Sequence, residues 1–386
     1  MAKRIDFTLI ILKIFPSHKN PISQKNHPYI YPQPKPDPHM QQINFLTIVR
    51  DAWKAYDASR PIKAVSDISA MVSTNHVYKV DLEYGSPVIA KLSYFGRYEH
   101  FVEDHSIINA LSNNLPAPFE NFLSRSLFKS NQLFVHRHRD RDLDVWVVFY
   151  RPIKIEKMLP KRLEESHIQS LGRQFALFHH ACKQVRNTLP ASSKTLQSDL
   201  DHLLEILESD YGKYEHRGNI DTIKLHIDSF QEEMAKYPLN EEEKIPVFVD
   251  WNIGNFSIDK ENKLFSRWDY DWFRISHRIM DFYFLSRICS DVGDRTVFSY
   301  NVGTLNEDRF LLFLKSYHEI YPLTEADIRQ LKEVYRFFIL NYVIKDGRYF
   351  FHEVYASKLQ REAYLEYLPS ISNGFKAERI LKALGI

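Results

Sequence analysis

Two acidic stations stand late in the chain at spacings that suit chemistry. Phe248-Val249-Asp250-Trp251-Asn252-Ile253-Gly254-Asn255-Phe256 puts Asp250 and Asn255 five residues apart, on a loop leading into the strand-like Asn255-Phe256-Ser257-Ile258. An Asp and an Asn at that spacing can face one point, the Asp toward an acceptor hydroxyl and the Asn toward a metal ion. A D-x-x-x-x-N pattern also arises by chance as an Asn- and Gly-rich turn, so it counts only in company. Company comes fourteen residues beyond Asn255, at Trp268-Asp269-Tyr270-Asp271-Trp272. Asp269 follows the strand-like Leu264-Phe265-Ser266, itself after a turn at Glu261-Asn262. A carboxylate ending a hairpin beside the first loop is where a metal ligand is expected. Asp281, twelve past Asp269, opens the apolar run Phe282 to Leu285 and reads as a helix cap. Phosphoryl transfer needs only such parts: a cation on the phosphates, oxygen ligands for Mg2+, and a carboxylate beside the attacking hydroxyl.

The elements that must position these residues alternate between strand and helix. Tyr78, Val80 and Leu82 recur at period 2, a turn follows at Tyr84-Gly85-Ser86, and Val88, Ala90 and Leu92 recur at period 2 again. The spacing predicts a hairpin whose second strand turns Lys91, beside Ile89, to the face opposite those apolar residues. An amphipathic segment over His100 to Leu111 and strands at Gln132 to Val135 and Val145 to Tyr150 follow. His136-Arg137-His138-Arg139, followed by Asp140, Asp142 and Asp144, reads as a solvated hairpin turn. After Pro152 the pattern is helical: Ile168, Leu171, Phe175, Phe178 and Cys182 share one helix face, as do Ile220, Ile223, Ile227 and Phe230. Thr324-Glu325-Ala326-Asp327 resembles a capping box, and its helix is expected to run to Gly347 as a C′ residue. The order predicts an α+β chain of two lobes, a small antiparallel-sheet lobe and a larger, mainly helical one, joined near Phe149 to Pro152.

Composition bounds the function classes. The chain has 386 residues, 44% of them hydrophobic, enough for two cored lobes. It holds 27 Phe and 22 Tyr against 11 Gly, a balance that favours large helical cores. Lys and Arg number 51 and Asp and Glu 49, mixed along the chain, so no basic stripe predicts a nucleic-acid partner. The apolar stretch Phe7 to Phe15 contains Lys13 and is too short to span a bilayer, and no small-residue cleavage site follows it. Cys182 and Cys289 sit among apolar residues, as free thiols of a reducing compartment do. A cytoplasmic protein without a membrane partner, monomeric or homodimeric, is expected. Prolines at 16, 21, 28, 32, 34, 36 and 38 predict an uncored, disordered N-terminal extension over 1–43, with Met40 a natural start and residues 1–39 dispensable. The nucleotide-binding lobe is then 44–149 and the catalytic and acceptor-binding lobe 150–386.

Five motifs in order resemble the aminoglycoside phosphotransferase and choline kinase family, over roughly residues 60 to 290. Its H-G-D-x-x-x-x-N is matched at Asp250 and Asn255, its I-D-W/F at Asp269, and its Asp about twelve on at Asp281. Leu171-Gly172-Arg173-Gln174-Phe175-Ala176-Leu177-Phe178-His179 is similar to its L-G-x-x-L-A-x-L-H helix, and Val88-Ile89-Ala90-Lys91 to its V-L-K strand. The loop Ser69 to Asn75 resembles its phosphate-covering turn. The resemblance implies a protein-kinase-like fold, ATP or GTP with Mg2+ as cofactors, and transfer of the γ-phosphate to a small-molecule hydroxyl. It implies Lys91 on the α/β-phosphates, paired with Glu103 or the adjacent Asp104, Glu103 being slightly favoured for its reach. It further implies Asp250 as acceptor of the hydroxyl proton, Asn255 and Asp269 as Mg2+ ligands, and the backbone of Tyr150 and Arg151 beside the base.

The chain departs from the family at Phe248 and Val249, where His and Gly usually stand, and in a phosphate-covering turn without glycine, where Ser69, Ser73 and Thr74 must serve. These departures favour a second reading, a catalytically silent nucleotide-binding module. His138-Arg139-Asp140 imitates a kinase motif, but the position five after Asp140 is Val145, which marks it as a decoy. The family's acceptors include aminoglycosides, choline, ethanolamine, homoserine and sugars. Trp251, Trp268, Trp272 and Phe273 crowd the two loops; their faces could hold a quaternary ammonium, and packing is the preferred reading.

Overall fold

Period-2 patterning builds the first lobe. The computed structural model describes residues 44–70, 75–94, 96–140, 143–292 and 299–386, so the proline-rich segment over 1–43 and the turn residues Ser73 and Thr74 lie outside it. Strands β1 (Ile62–Asp67), β2 (His76–Leu82) and β3 (Val88–Ser93) precede a minimal hairpin, β4 (Phe128–Lys129) and β5 (Gln132–Leu133), and then β6 (Val135–Arg139) and β7 (Asp144–Tyr150). Five of these form one sheet in the order β1-β2-β3-β7-β6, every pairing antiparallel. Lys91 thus lies on the central strand, opposite Val77 on one side and Val148 on the other. Tyr78, Val80, Leu82, Val88, Ala90 and Leu92 are buried against Ile48, Val49, Ala52 and Trp53 of helix α1 (Phe45–Tyr56), closing a first core. Helix α2 (Tyr98–Asn114) works otherwise: its Ile107, Ile108 and Leu111 join the core of the second lobe, so α2 bridges the two.

The second lobe is mainly helical. Its principal helices are α3 (Glu165–Val185), α4 (Leu196–Glu208), α5 (Ile220–Lys236), α6 (Phe282–Cys289), α7 (Asp308–His318) and α8 (Leu331–Phe338). Gly172 explains why the α3 motif needs a glycine: a Cβ there would lie 2.5 Å from the Phe313 carbonyl of α7. Two short ladders frame the loops of interest, β8 (Ile245–Val247) with β11 (Arg274–Ser276) and β9 (Phe256–Ile258) with β10 (Leu264–Arg267). The β8–β9 connection carries Asp250, and the β10–β11 connection carries Asp269. Among the described residues, no helix is long and apolar enough to cross a membrane.

The two-lobed α+β architecture is as the sequence predicts, and four local expectations change. Strand β1 is an edge strand that alternation does not reveal. His136 to Arg139 is strand β6 rather than a turn, because Arg137 forms two hydrogen bonds, of 2.8 and 2.7 Å, with Asp144 across the ladder. The capping box at Thr324 forms as expected, with Asp327 N–H donating to Thr324 Oγ1 at 3.1 Å and Thr324 N–H to Asp327 Oδ2 at 2.9 Å. Its helix, however, breaks after Arg329 and resumes as α8. The chain then widens into a π-helical turn over Ile339–Lys345, and Gly347 opens a further short helix instead of ending one. Asp281 makes no side-chain cap on α6; its carboxylate has another use.

Candidate active site

Asp281 holds the Asp250 loop from beneath. Its Oδ1 accepts from the backbone N–H of Phe248 at 2.9 Å and of Val249 at 2.7 Å, and its Oδ2 meets His179 Nε2 at 3.0 Å. Both side chains are fully buried. The other His179 nitrogen meets the Tyr317 hydroxyl at 2.9 Å, which ties the loop through α3 to α7. The clamp explains a strained residue. Val249 has φ of 59°, a left-handed conformation that β-branched side chains rarely adopt. A glycine would take such a conformation freely, and here Asp281 holds a valine in it.

The half-buried Asp250 is oriented by its own loop. Oδ1 accepts from the Asn252 backbone N–H at 3.2 Å and from its side-chain amide, and Oδ2 accepts from Asn255 Nδ2 at 3.0 Å. Asn255 thereby leaves its side-chain Oδ1, and not its backbone carbonyl, as an atom that could take a cation. Trp268 N–H donates to the Asn255 carbonyl at 3.0 Å, so the first loop is stitched to the second.

On the second loop, Asp269 also has a left-handed backbone, with φ of 66°. Its Oδ1 lies 2.8 Å from Lys91 Nζ, and Asp271 Oδ1 pairs with the same ammonium. Asp271 Oδ2 accepts from Asn75, the residue just before β2, so Asp271 links both lobes. The electrostatics follow. Burial acts to lower the Lys91 pKa, but the two carboxylates outweigh it and hold the ammonium charged. Desolvation acts to raise that of Asp269, whose carboxylate keeps part of its surface in solvent, yet Lys91 beside it outweighs this and holds it below the ordinary carboxylate range. Burial pushes Asp271 up, and the neighbouring Asp269 adds to the rise. Asn255, Asp269 and Asp271 are a purely oxygen-donor set, with the Asp269 carboxylate 40% exposed, which fits a hard divalent cation such as Mg2+.

The remaining expected residues fall less simply. Glu103 does not pair with Lys91: its Oε1 accepts from Ser192 Oγ at 2.9 Å and Ser193 N–H at 2.7 Å. Asp104 does not either, its Oδ2 accepting from Lys194 Nζ at 2.6 Å. The rotation of α2 turns both toward the 192–194 segment, and His105 takes the inward place, bonded to the Tyr150 hydroxyl. Burial drives the His105 pKa down to about 3, and Lys91 adds to the drop, so a neutral imidazole stands where a carboxylate was expected. At the joint between lobes, Arg151 N–H is already given to the Arg125 carbonyl at 2.9 Å. Pro152 has no N–H, which makes Ile153 the next backbone donor for a base. Ser69 is spent inside its turn, its N–H and hydroxyl donating to Asp67 and its Oγ accepting from Val77 N–H at 2.9 Å. The aromatics pack as expected: Trp251 is fully buried among Phe122, Phe175, Phe178 and Phe256, and Trp272 stacks on Tyr342 with centroids 4.6 Å apart. Asp271 and Asp281 are among the residues whose part sequence reasoning missed, although both lie in the motif region.

Comparison with known proteins places the fold. No protein-family model matches the chain, and no curated protein matches it. Solved structures do. A microcompartment-associated aminopropanol kinase is 17% identical with a TM-score of 0.57, the match covering 88% of this chain and 98% of that one. An amicoumacin kinase, solved with AMP-PNP, Ca2+ and its ligand, is 15% identical with a TM-score of 0.58, over 88% and 97% of the two chains. A GDP complex of aminoglycoside 2'-phosphotransferase-IIIa is 13% identical with a TM-score of 0.52, over 86% and 100%. The chain has the two-lobed, protein-kinase-like fold of these small-molecule kinases.

Proposed function

We propose that the protein is a phosphotransferase that moves the γ-phosphate of ATP or GTP onto a hydroxyl of a small molecule, an amino-alcohol, a sugar or an aminoglycoside. The observation that carries this reading is the convergence of Lys91 with Asp269 and Asp271, 178 and 180 residues away in the chain, in one cluster beside the Asp250 loop. The relatives in fold, two of them solved with nucleotides, agree with it. The buried free cysteines Cys182 and Cys289 suit a cytoplasmic setting.

In this reading the acceptor hydroxyl lies against Asp250, whose carboxylate is held by Asn252 and Asn255. The oxygen forms its bond to the γ-phosphorus as the bond to the β–γ bridging oxygen breaks, and the hydroxyl proton passes to Asp250. Lys91 leaves Asp271 to neutralise the α- and β-phosphates. Asn255, Asp269 and Asp271 would hold Mg2+, which supplies charge neutralisation on the transferring and leaving phosphate oxygens. Ile153 N–H, the next backbone donor past Arg151 and Pro152, would be the group offered to the nucleotide base.

The specific observation favouring the silent module is that both Asp269 and Asp271 occupy Lys91, together with the phenylalanine at 248 in the Asp250 loop. A screen of amino-alcohols, sugars and aminoglycosides with Mg2+-ATP and Mg2+-GTP, read as nucleoside diphosphate release, decides between them. Acceptor-dependent release supports the enzyme. Nucleotide-dependent stabilisation without release to any acceptor or to water supports the module.

A further inference from the structure

Arg267 is the residue in the site that nothing so far accounts for. It ends β10, and its backbone is fixed on both sides, its N–H donating to the Phe122 carbonyl at 2.7 Å and its carbonyl accepting from Ser124 N–H at 3.0 Å. The Tyr270 hydroxyl donates to the same carbonyl at 3.0 Å. From that fixed base the side chain runs inward and is wholly buried. Its guanidinium carbon lies 4.6 Å from the centre of the Phe248 ring and 4.0 Å from that of Trp251. One terminal nitrogen donates to the Asp250 carbonyl at 3.0 Å and, at 3.4 Å, to that of Asp269. No carboxylate comes within ion-pair distance of it among the described residues, and its Nε and other terminal nitrogen are buried without a hydrogen-bond partner.

Burying a cation in this way is costly, and an apolar side chain of similar volume would fill the space at less cost. What the apolar side chain would lack is a donor reaching the backbones of both loops. The guanidinium rests against two rings, Trp251 and, slightly farther off, Phe248, which stands where the resembled family carries a histidine. A phenyl ring offers no hydrogen bond to its loop, but its face attracts a guanidinium. We propose that Arg267 is a positioning residue that fixes the Asp250 loop against the Asp269 loop, taking over from β10 the support that Phe248 does not give. The inference rests on the phosphotransferase reading for its consequence in turnover. The geometry of the two loops, and so the divalent-ion site at Asn255 and Asp269, depends on Arg267 in either reading.

The test uses the full chain with Arg267→Lys, Arg267→Met and Phe248→His/Arg267→Met. The measurements are kcat, nucleotide KM, the Mg2+ concentration for half-activation, and the extra thermal stabilisation that Mg2+ gives to nucleotide binding. Lysine keeps the charge but loses the planar fork and the stacking. Both single substitutions are expected to lower kcat about tenfold or more per folded molecule, since displacements of an ångström reach ~100-fold. Half-activation is expected to need about threefold more Mg2+ while nucleotide KM stays within about twofold, a split that simple loss of stability does not produce. Histidine at 248 is expected to restore part of kcat to Arg267→Met. Unchanged kcat and Mg2+ requirement in Arg267→Lys overturns the inference, even where Arg267→Met does not fold, and absence of any restoration by histidine overturns the exchange of supports. Where wild type binds Mg2+-nucleotide without turnover, the phosphotransferase reading fails separately. The Mg2+-dependent stabilisation then decides on Arg267: its loss in Arg267→Lys supports the role, and its retention overturns it.

Discussion

Replacing Asp281 with alanine separates two roles by magnitude. A helix cap, the role its position suggests, is worth about 1 kcal/mol. In the structure Asp281 instead accepts from two backbone N–H groups at 2.9 and 2.7 Å and meets His179 at 3.0 Å, with no exposure of either side chain. Asp281→Ala leaves both N–H groups buried without an acceptor, at about 1–3 kcal/mol each, and removes the partner of His179. The total is about 3–5 kcal/mol, the range for breaking a buried charged contact. At roughly 2 °C per kcal/mol for a chain of this size, Tm should fall by about 6–10 °C. Val249, released from the contact that holds its φ of 59°, relaxes toward an ordinary conformation, and Asp250 next to it moves. Turnover per folded molecule should therefore fall by about tenfold or more. Asp281→Asn keeps one acceptor oxygen and should lose about half as much stability. Differential scanning fluorimetry, with circular dichroism to establish the folded fraction, makes the measurement. A fall in Tm of about 2 °C or less, the size of a lost cap, with unchanged turnover would refute the clamp.

Asp269→Ala should abolish the extra thermal stabilisation that Mg2+ gives to nucleotide binding, and persistence of that stabilisation would remove Asp269 from the metal site. Burial raises the Asp104 pKa from 3.8 to about 6 despite Lys194. The folded state thus holds the Asp104 proton over a pH range where the unfolded chain has lost it, and this contribution to stability fades as pH rises from about 4 to about 6. Compared with Asp104→Asn, wild type should lose about 1–3 kcal/mol across that interval, and parallel stability curves for the two proteins would contradict the assignment.

The parts of the site that the sequence made legible are those set by neighbours along the chain. Asp250, Asn255 and Asp269 lie within one stretch of loop and hairpin, where spacing decides which groups meet. Lys91 was legible because alternation along β3 fixes its face. Partners chosen by tertiary packing were not. Whether Glu103, Asp104 or His105 turns inward depends on the rotation of α2, which is set by the 192–194 segment some 90 residues later. The same limit hid Arg267, whose place is evident only when β10 lies under Phe248. In the fold, the sheet and the helical lobe were legible from periods of 2 and 3.6. Strand β1 was not, because an edge strand with Lys63, Ser66 and Asp67 shows little alternation. The end of the helical stretch near Gly347 was also hidden, since a π-helical turn keeps an apolar pattern while altering its phase.

The most direct test of the central claim is nucleotide turnover by Asp250→Asn beside wild type, both at saturating Mg2+-nucleotide. The substitution keeps the shape and hydrogen-bonding length of the side chain and removes its negative charge and most of its basicity. Nucleotide affinity should change little, because in the proposed arrangement the phosphates are held by Lys91 and the metal ligands and not by Asp250. Turnover should fall by at least ~100-fold, the usual cost of losing a general base. Slow hydrolysis by water serves as the assay until an acceptor is found. Equal turnover by Asp250→Asn and wild type would contradict the account, because the loop would then carry no part of the chemistry.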